Sequence, residues 1–338
     1  MPDSPAQAAK ALFDQNVIWD AHAGFGPDPS VDLSKLQVWK DAGVNYLSVD
    51  VGYDVMDWRD TIKSLAAFRR WILANEGYRL VTSVAEIHEA KKAGDLAVTF
   101  DLEGMNALDG SLDMVEMYHH LGVRQMLFAY NRNNAAGGGC HDEDMGLTDF
   151  GRDVIAEMNR VGMLVDCSHT AYTTTMEAME ASTKPCIFSH SNARAFWDHE
   201  RNIWDDQAKA CAATGGVVGI VGIGIFMGEN DTRTTTLADN IDHYVNLLGP
   251  EHVGIGLDYA LQDEFAAEGD DSEDLGGLSG MNPEYWPPRQ YSYPQIDCAR
   301  PAQIPQLAEE LFRRQYSDKD IAAIMGGNFM RVAEAVWK

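Results

Sequence analysis

Two short apolar runs near the middle of the chain each end in Ser-His, which places His169 after the first run and His190 after the second. Both runs are typical of buried strands, at residues 163–165 and 186–188, and the segment 172–181 between them is typical of a helix. Strands joined through a helix run parallel, so both imidazoles would lie at the carboxyl-terminal edge of one sheet. A lone histidine there is more often bonded to the backbone, but the repetition favours a shared metal ion.

Three further residues with metal-binding or proton-transfer chemistry follow other predicted strands: His22, Glu103 and Asp258. Three neutral imidazoles and a carboxylate are good zinc ligands, and a second carboxylate nearby can move protons. Zinc at such a site lowers the pKa of a bound water to about 7 and polarises a carbonyl group under attack. The set therefore predicts metal-dependent hydrolysis, with Glu103 and Asp258 as the candidate catalytic carboxylates.

The elements that must position these residues alternate between strand and helix along the chain. Eight strands are predicted, at residues 17–19, 46–51, 96–100, 123–128, 163–165, 186–188, 216–223 and 253–257. Helices are predicted at 6–14, 33–42, 58–74, 84–93, 112–121, 150–161, 172–181, 204–213 and 237–248. The alternation predicts an α/β fold, a (β/α)8 TIM barrel of the metal-dependent hydrolase type, whose functional residues gather at the carboxyl-terminal face. We predict one domain over residues 1–338, with C-terminal helices at 301–316 and 317–338.

Charge and composition restrict the partners and the compartment. The formal net charge of −26, without a compensating basic cluster, disfavours nucleic acid and anionic membranes, and the acidic segment 264–274 is interpreted as a solvated loop. Residues 1–10 lack the pattern of a signal peptide, and no run reaches the roughly 18 apolar residues of a membrane helix. Together with five scattered cysteines that show no CxxC spacing, these features predict a cytoplasmic protein with reduced thiols.

Several ordered motifs extend over nearly the whole chain: LTDFGRDVIAEMNRVGMLVDCSH, FSHSNAR, the Arg201-Asn202 pair, GIGLDY around Asp258 and the closing IMGGNFMRV. In these motifs the sequence resembles the membrane dipeptidase (renal dipeptidase) family, peptidase family M19 of the amidohydrolase superfamily. The resemblance implies a (β/α)8 barrel that holds two zinc ions and hydrolyses dipeptides and related amides. It also suggests a homodimer.

The resemblance further implies a role for each matching residue. Glu103 would bridge the two metal ions, His22 would hold the first ion, and the two Ser-His histidines would hold the second. Asp258 would contact the substrate amine and shuttle protons. Arg201 would clamp the substrate carboxylate, a role that suits the planar two-pronged guanidinium.

The chain departs from the family in two places. The family has His-x-Asp on the first strand, whereas this chain has His22-Ala23-Gly24, so one ligand of the first metal ion is absent. The family also has a substrate-binding histidine after the fourth strand. Tyr130 and Asn131 stand there in this chain, and a phenol or an amide would have to contact the substrate instead. We therefore expect one firmly held zinc ion and a second ion that is weak or absent.

Several assignments have alternatives. Cys140 or His141 could supply the missing ligand, although a cysteine in a Gly-rich loop is more often inert. Arg201 could cap a barrel helix instead of binding substrate. Asp20 or Asp166 could orient the ligand imidazoles.

The sequence thus predicts a metallohydrolase that cleaves the amide bond of a dipeptide or a similar small carboxylate-bearing amide. One alternative is a single-metal enzyme acting on a different small non-peptide substrate. Another is a catalytically silent barrel that binds a small ligand. No Gly-rich phosphate motif leads from a strand into a helix, which disfavours a nucleotide substrate. The aromatic segment 286–288 is interpreted as the wall of a lid or as a dimer contact.

Overall fold

The structure is a computed structural model that describes residues 4–24, 26–260, 282–293 and 295–338. The acidic segment interpreted as a solvated loop, 264–274, lies outside these ranges. The described residues form nine strands: β1 Trp19–Ala23, β2 Tyr46–Tyr53, β3 Tyr78–Leu80, β4 Leu96–Glu103, β5 Val123–Leu127, β6 Leu164–Asp166, β7 Cys186–Phe188, β8 Val217–Ile220 and β9 Val253–Ile255.

Eight of these strands pair in parallel around a barrel, in the order β1-β2-β4-β5-β6-β7-β8-β9. The first and last strands meet where the backbone N–H of Asp258 donates to the carbonyl of His22 at 3.1 Å. The N–H of Leu257 also donates to the Asp20 carboxylate at 2.8 Å. The predicted (β/α)8 barrel is confirmed, and its nearly closed sheet brings all the strand ends of one face together.

Two strands that carry site residues extend further towards the carboxyl-terminal face than the sequence predicts. β1 includes His22 and β4 includes Glu103, whereas both residues were expected to follow their strands. Polar residues at a strand end resemble the start of a loop, but the neighbouring strands supply the backbone pairing that extends the strand. The ninth strand, β3, was not predicted, because three residues paired only to the start of β4 give too short a pattern.

Helices cover the outside of the barrel. They are α1 Pro5–Gln15, α2 Gln37–Asp41, α3 Trp58–Ala74, α4 Val84–Ala93, α5 Asp113–Leu121, α6 Asp149–Val161, α7 Tyr172–Ala181, α8 Asp205–Ala213, α9 Thr234–Leu248, α10 Pro288–Tyr291, α11 Gln303–Arg313, α12 Asp318–Ala322 and α13 Asn328–Val336. The predicted helix at 33–42 is a 3₁₀ turn, Leu33–Leu36, followed by α2. Ser317 caps α12, since its hydroxyl accepts from the N–H of Asp320.

The predicted C-terminal helix at 317–338 is interrupted. A π-helical turn, Ala323–Gly327, separates α12 from α13. A Cβ at Gly326 would lie 2.4 Å from the carbonyl of Val17, so only glycine allows the turn to pack so closely under the start of the barrel.

The barrel interior is apolar at its amino-terminal end. Trp19 and Tyr46 stack with ring centroids 3.5 Å apart, and Phe329 of α13 packs parallel to Trp19 beneath them. These rings belong to one buried cluster with inward residues of the other strands. The predicted site residues lie at the opposite, carboxyl-terminal face of the barrel.

None of the helices in the described ranges combines the length and the apolar character that crossing a bilayer would require. The organisation of residues 1–338 as one domain stays a prediction.

Candidate active site

The three predicted ligand histidines and Glu103 converge on one point at the carboxyl-terminal face. The carboxylate oxygen Oε1 of Glu103 lies 3.5 Å from His22 Nε2, 3.2 Å from His169 Nε2 and 3.4 Å from His190 Nε2. The Nε2 atoms of His169 and His190 are 3.0 Å apart. The structure therefore brings together four side chains that are separated by up to 168 residues in the sequence.

Asp258 joins this group from the segment after β9, next to β1. Its Oδ1 atom lies 3.5 Å from His22 Nε2. Two sets of ligand atoms, each within 4.8 Å of one another, could hold a metal ion: one from His22, His190 and Asp258, the other from Glu103, His169 and His190. The two sets share His190, so all five residues surround one small volume.

Two atoms of this centre fit a bound cation. His22 Nε2 and Glu103 Oε1 are buried, and neither has a hydrogen-bond partner among the described residues. Asp50 and Asp101, which face each other on β2 and β4, add buried carboxylates beside His22. Nitrogen and oxygen ligands without partners, surrounded by excess negative charge, are the donor set that a divalent ion such as zinc requires.

Each ligand imidazole is oriented through its other ring nitrogen. His22 Nδ1 lies 3.1 Å from Asp101 Oδ1, and the hydroxyl of Ser48 donates to the other oxygen of that carboxylate at 2.5 Å. An N–H on Nδ1 therefore donates to Asp101, which leaves the lone pair of Nε2 directed at the centre. Sequence reasoning missed this role of Asp101. Its spacing of two from Glu103 was the available signal, because such residues face the same side of a strand.

Asn131 performs the same function for His169. The amide oxygen of Asn131 lies 2.7 Å from His169 Nδ1, and its Nδ2 donates to the carbonyl of Tyr285 at 3.0 Å. The residue is fully buried and has φ of 62°, a backbone region that asparagine tolerates better than most residues. The structure thus shows Asn131 supporting a ligand, and its predicted contact with the substrate stays a prediction.

His190 is oriented through a two-step connection. Its Nδ1 lies 2.7 Å from the hydroxyl of Ser189, which in turn donates to the carboxylate of Asp166. Asp166 therefore has the orienting role that was considered for it. Asp20, considered for the same role, instead accepts from the indole N–H of Trp39 and the backbone N–H of Leu257, and so holds the barrel strands together.

The pKa values of the three histidines at the centre shift in different directions. Burial, together with the nearby positive charge of Arg201, holds the pKa of His169 and of His190 well below the ordinary value. Burial alone would also lower the pKa of His22, but the carboxylates of Asp101 and Glu103 outweigh it and raise that pKa. Burial raises the pKa of Glu103. Two imidazoles are therefore neutral and ready to bind a metal at neutral pH.

A cavity of about 280 Å³ opens beside the centre. His169 and Arg201 line its inner end, and Tyr172, Trp204 and Arg194 line other parts of the wall. The Arg201 side chain is buried, with Nη1 donating to Ser191 and Nη2 to the carbonyl of His190. Its Nε has no hydrogen-bond partner within the described part of the chain. These two hydrogen bonds hold the Arg201 side chain against the segment that carries His190, a predicted metal ligand.

An aromatic wall stands on the other side of His169. Tyr130 stacks on the His169 ring with centroids 4.3 Å apart, and its hydroxyl accepts from the indole N–H of Trp286 at 3.1 Å. Trp286 itself is buried against Tyr53 and Tyr130. Trp286 therefore belongs to a wall of the site, while the roles predicted for the segment 286–288, the wall of a lid or a dimer contact, stay predictions.

The possible extra ligand, Cys140, lies one step away from the centre. Its thiol is 3.4 Å from the amide oxygen of Asn131, and its backbone N–H donates to the carbonyl of His169 at 2.9 Å. It belongs to neither set of ligand atoms among the described residues. His141 is also engaged elsewhere, with Nδ1 3.1 Å from Glu200 and Nε2 2.9 Å from the hydroxyl of Tyr291.

Comparison of the chain with known protein families shows which family it belongs to. The model of the membrane dipeptidase family, Peptidase family M19, matches residues 29–278. The chain belongs to this family. The M19 match covers the segments that carry Glu103, His169, His190, Arg201 and Asp258, and it begins after the strand that carries His22.

Curated proteins similar to this M19 chain include an uncharacterized dipeptidase of Schizosaccharomyces pombe, 33% identical over 227 residues, which are 64% of this chain and 54% of that protein. Dipeptidase aclJ of Aspergillus oryzae is 30% identical over 83% of this chain and 62% of its own length. Human dipeptidase 3 is 27% identical over 88% of this chain and 56% of its own length. The M19 chain therefore spans between about half and three fifths of these relatives.

Solved structures show the same fold. An amidohydrolase from Pseudomonas aeruginosa has a TM-score of 0.85 and 26% identity, with 99% of each chain covered. A metallopeptidase from Rhodobacter sphaeroides, liganded with a phosphinate mimic of L-Ala-D-Ala, has a TM-score of 0.75 and 18% identity, covering 95% of this chain and all of that one. At 18% identity, the similarity to the second structure shows only that the two chains share the barrel fold.

Proposed function

We propose that this M19 chain is a metal-dependent hydrolase that cleaves the amide bond of a dipeptide or a similar small amide with a free carboxylate. One observation carries the proposal: a single buried oxygen, Glu103 Oε1, lies within 3.5 Å of three imidazole nitrogens. The dipeptidase names of the curated relatives support the same class of substrate.

The residues that would hold the metal are His22, Glu103, His169, His190 and Asp258. We propose zinc, because imidazole nitrogens with carboxylate oxygens suit that ion, and one firmly held ion per chain, because all these ligand atoms surround one small volume. When bound, the ion would polarise the scissile carbonyl and make a water molecule acidic enough to attack it. No role is required of Cys140 in this arrangement.

The chain's own residues bind and orient the substrate. Arg201, held beside His169 by two hydrogen bonds, would pair with the substrate carboxylate at the inner end of the cavity. The phenol of Tyr130, on the opposite side of His169, could donate to the oxygen of the scissile amide. The carboxylates of Asp258 and Glu103 are the groups placed to accept and return a proton.

The first experiment measures zinc per chain by mass spectrometry on protein purified without chelator, followed by turnover of a dipeptide panel. We expect about one zinc ion per chain and hydrolysis of several dipeptides that is lost on chelation and recovered with zinc. Bound metal without hydrolysis of any dipeptide would refute the proposed substrate class. Protein that binds no divalent metal would refute the function as a whole.

Arg201→Lys tests the substrate carboxylate. Wild-type enzyme should prefer a dipeptide over the same dipeptide with an amidated C-terminus. The variant should lose at least about 10-fold of that preference, since lysine cannot reproduce the geometry of a fixed guanidinium. Arg152→Lys, an exposed arginine of α6 paired with Glu177, is the matched control and should keep the preference. An unchanged preference in Arg201→Lys would exclude the clamp.

The cytoplasmic location and the homodimer stay predictions. Cell fractionation with an antibody against the native protein tests the first, and light scattering coupled to size-exclusion chromatography tests the second.

A further inference from the structure

We propose that the carboxylate of Asp258 takes the metal-ligand position that Gly24 leaves without a side chain. In this assignment His22, His190 and Asp258 together bind the ion on the β1 side of the centre. The inference rests on the proposed function only in requiring that a metal ion binds at this centre.

The first argument is the space beside Gly24. A Cβ built on Gly24 would lie 2.5 Å from Oδ1 of Asp258 and 3.7 Å from its Cγ. Contacts under 3.0 Å do not occur between real Cβ atoms and their neighbours, so any side chain at residue 24 would require Asp258 to move. The Asp258 carboxylate therefore occupies the volume in which a side chain from residue 24 would begin.

The second argument is the position of that carboxylate relative to the ligands. His22 Nε2 is 3.5 Å from Asp258 Oδ1 and also 3.5 Å from Glu103 Oε1. Ligand atoms about 2.1 Å from a tetrahedral ion are separated by about 3.4 Å. Each of these two distances is thus that of neighbouring ligands in one coordination shell, and the ligand atoms of His22, His190 and Asp258 all lie within 4.8 Å of one another.

The third argument concerns two atoms of the centre whose chemistry suits a bound cation. His22 Nε2 and Glu103 Oε1 have no hydrogen-bond partner among the described residues, although both are buried. The Nδ1 atom of His22 is already committed to Asp101, so Nε2 presents its lone pair. An imidazole nitrogen beside two carboxylate oxygens is a set of donor atoms that suits a divalent cation.

The backbone fixes the direction of the Asp258 side chain. Asp258 has φ of 54°, in the left-handed region that few residues with side chains adopt. Its N–H bonds to the carbonyl of His22, and the preceding N–H of Leu257 bonds to Asp20. These contacts tie the residue after β9 to β1 and hold its carboxylate against Gly24. A ligand from the last strand can therefore serve the metal position next to the first.

The experiment compares zinc affinity, by competition with a chromophoric chelator, and the visible absorption of the cobalt-substituted protein, in wild type, Asp258→Asn, Gly24→Ala and the double variant Gly24→Asp/Asp258→Gly, which removes the side chain that an aspartate at residue 24 would meet. Asp258→Asn should lose at least about 10-fold in zinc affinity and change the cobalt spectrum. Gly24→Ala adds only a methyl group at Oδ1 of Asp258 and should also weaken binding. The double variant should recover most of the affinity lost by Asp258→Asn.

Circular dichroism establishes which variants are folded, and Gly24→Ala keeps the test decisive should Asp258→Asn not fold. Wild-type affinity and an unchanged cobalt spectrum in either folded single variant would overturn the assignment of Asp258, while leaving the proposed hydrolase intact. A wild-type protein that binds neither zinc nor cobalt would overturn both.

Discussion

Glu103 is the residue on which the centre depends most. It is the last residue of β4, and its Oε1 atom is the common neighbour of three imidazoles contributed by β1 and by the segments after β6 and β7. Burial raises the pKa of this carboxyl above its ordinary value. A metal ion that binds this carboxylate therefore displaces a proton from it. Metal affinity should accordingly rise with pH.

At the same scale, Asp101→Asn tests the orientation of His22. The amide can still accept from Nδ1, but it loses the charge that increases the basicity of the imidazole. We expect zinc affinity to fall about 10- to 100-fold, measured by chelator competition. Asp95→Asn removes an aspartate that pairs with Arg79 on the outside of the barrel and should leave the affinity unchanged. Equal affinities in all three proteins would show that Asp101 is structural only.

At the scale of elements, two loops that border the cavity are joined by one buried histidine. His141, in the loop before α6, contacts Glu200 and the hydroxyl of Tyr291 at the end of α10, and Glu200 also pairs with Arg289. Burial alone would lower the pKa of His141, but Cys140 and Glu200 raise it to about 9. The hydrogen bond from His141 is the main cause that lowers the pKa of Glu200 to about 2. The connection is an ion pair at neutral pH.

This ion pair predicts a pH dependence on the alkaline side. The pKa of His141 is higher in the folded than in the unfolded protein, so its stabilisation is complete below about pH 6.5 and is lost as the pH rises through about 9. We expect the free energy of unfolding of wild type to fall relative to that of His141→Gln by up to about 3 kcal/mol over this window. Urea unfolding at several pH values measures it. A difference that stays constant from pH 6.5 to 10 would contradict the assignment.

Two glycines allow barrel strands to pack closely against the segment that carries His190. A Cβ at Gly219 or at Gly256 would lie 2.0 Å from the carbonyl oxygen of Ser189, the residue before the ligand His190. Backbone atoms cannot move as a flexible side chain can. The absence of side chains at these two positions therefore allows β8 and the segment after β9 to pack against the end of β7.

Gly256→Ala is expected to destabilise the protein by about 1–3 kcal/mol and to weaken zinc binding, because the methyl group displaces Ser189 and with it His190. Gly228→Ala, where the new Cβ would have an ordinary contact of 3.4 Å with Asp231, is the control and should be nearly neutral. Thermal unfolding and chelator competition measure the two effects. A Gly256→Ala protein as stable as the control would show that the barrel adjusts at no cost.

At the scale of the whole molecule, negative charge dominates. The chain has 52 acidic and 26 basic residues, and several buried carboxylates lie around His22 at the carboxyl-terminal face. Their mutual repulsion disfavours the folded protein without metal, because burial removes the water that would screen it. The metal ion should therefore contribute to the stability of the fold as well as to activity.

Removal of the metal should accordingly lower the free energy of unfolding. At a free zinc concentration about 1,000 times Kd, the expected contribution is about 4 kcal/mol. Differential scanning calorimetry of protein before chelation, after chelation and after readdition of zinc measures it. An unfolding temperature that does not change on removal of a metal ion known to be bound would contradict a role for the ion in stability.

The sequence by itself determined the barrel and most of the ligands. Apolar runs that end in a polar residue are visible without any tertiary information, and their alternation with helices specifies which ends share a face. His22, Glu103, His169 and His190 could be named because each follows such a run. The ordered motifs pointed to the M19 family for the same reason, since they contain these strand ends.

Only the tertiary structure decided which neighbours support the ligands. Asp20 and Asp101 are both aspartates within two residues of a ligand, yet only Asp101 orients an imidazole. The pairing of β1 with β2 shifts between Asp20 and Ala23, and such an irregularity changes the face on which the following side chains lie. Contacts such as that of Asp258 with Gly24, 234 residues apart, depend on barrel closure, which no local pattern in the sequence encodes.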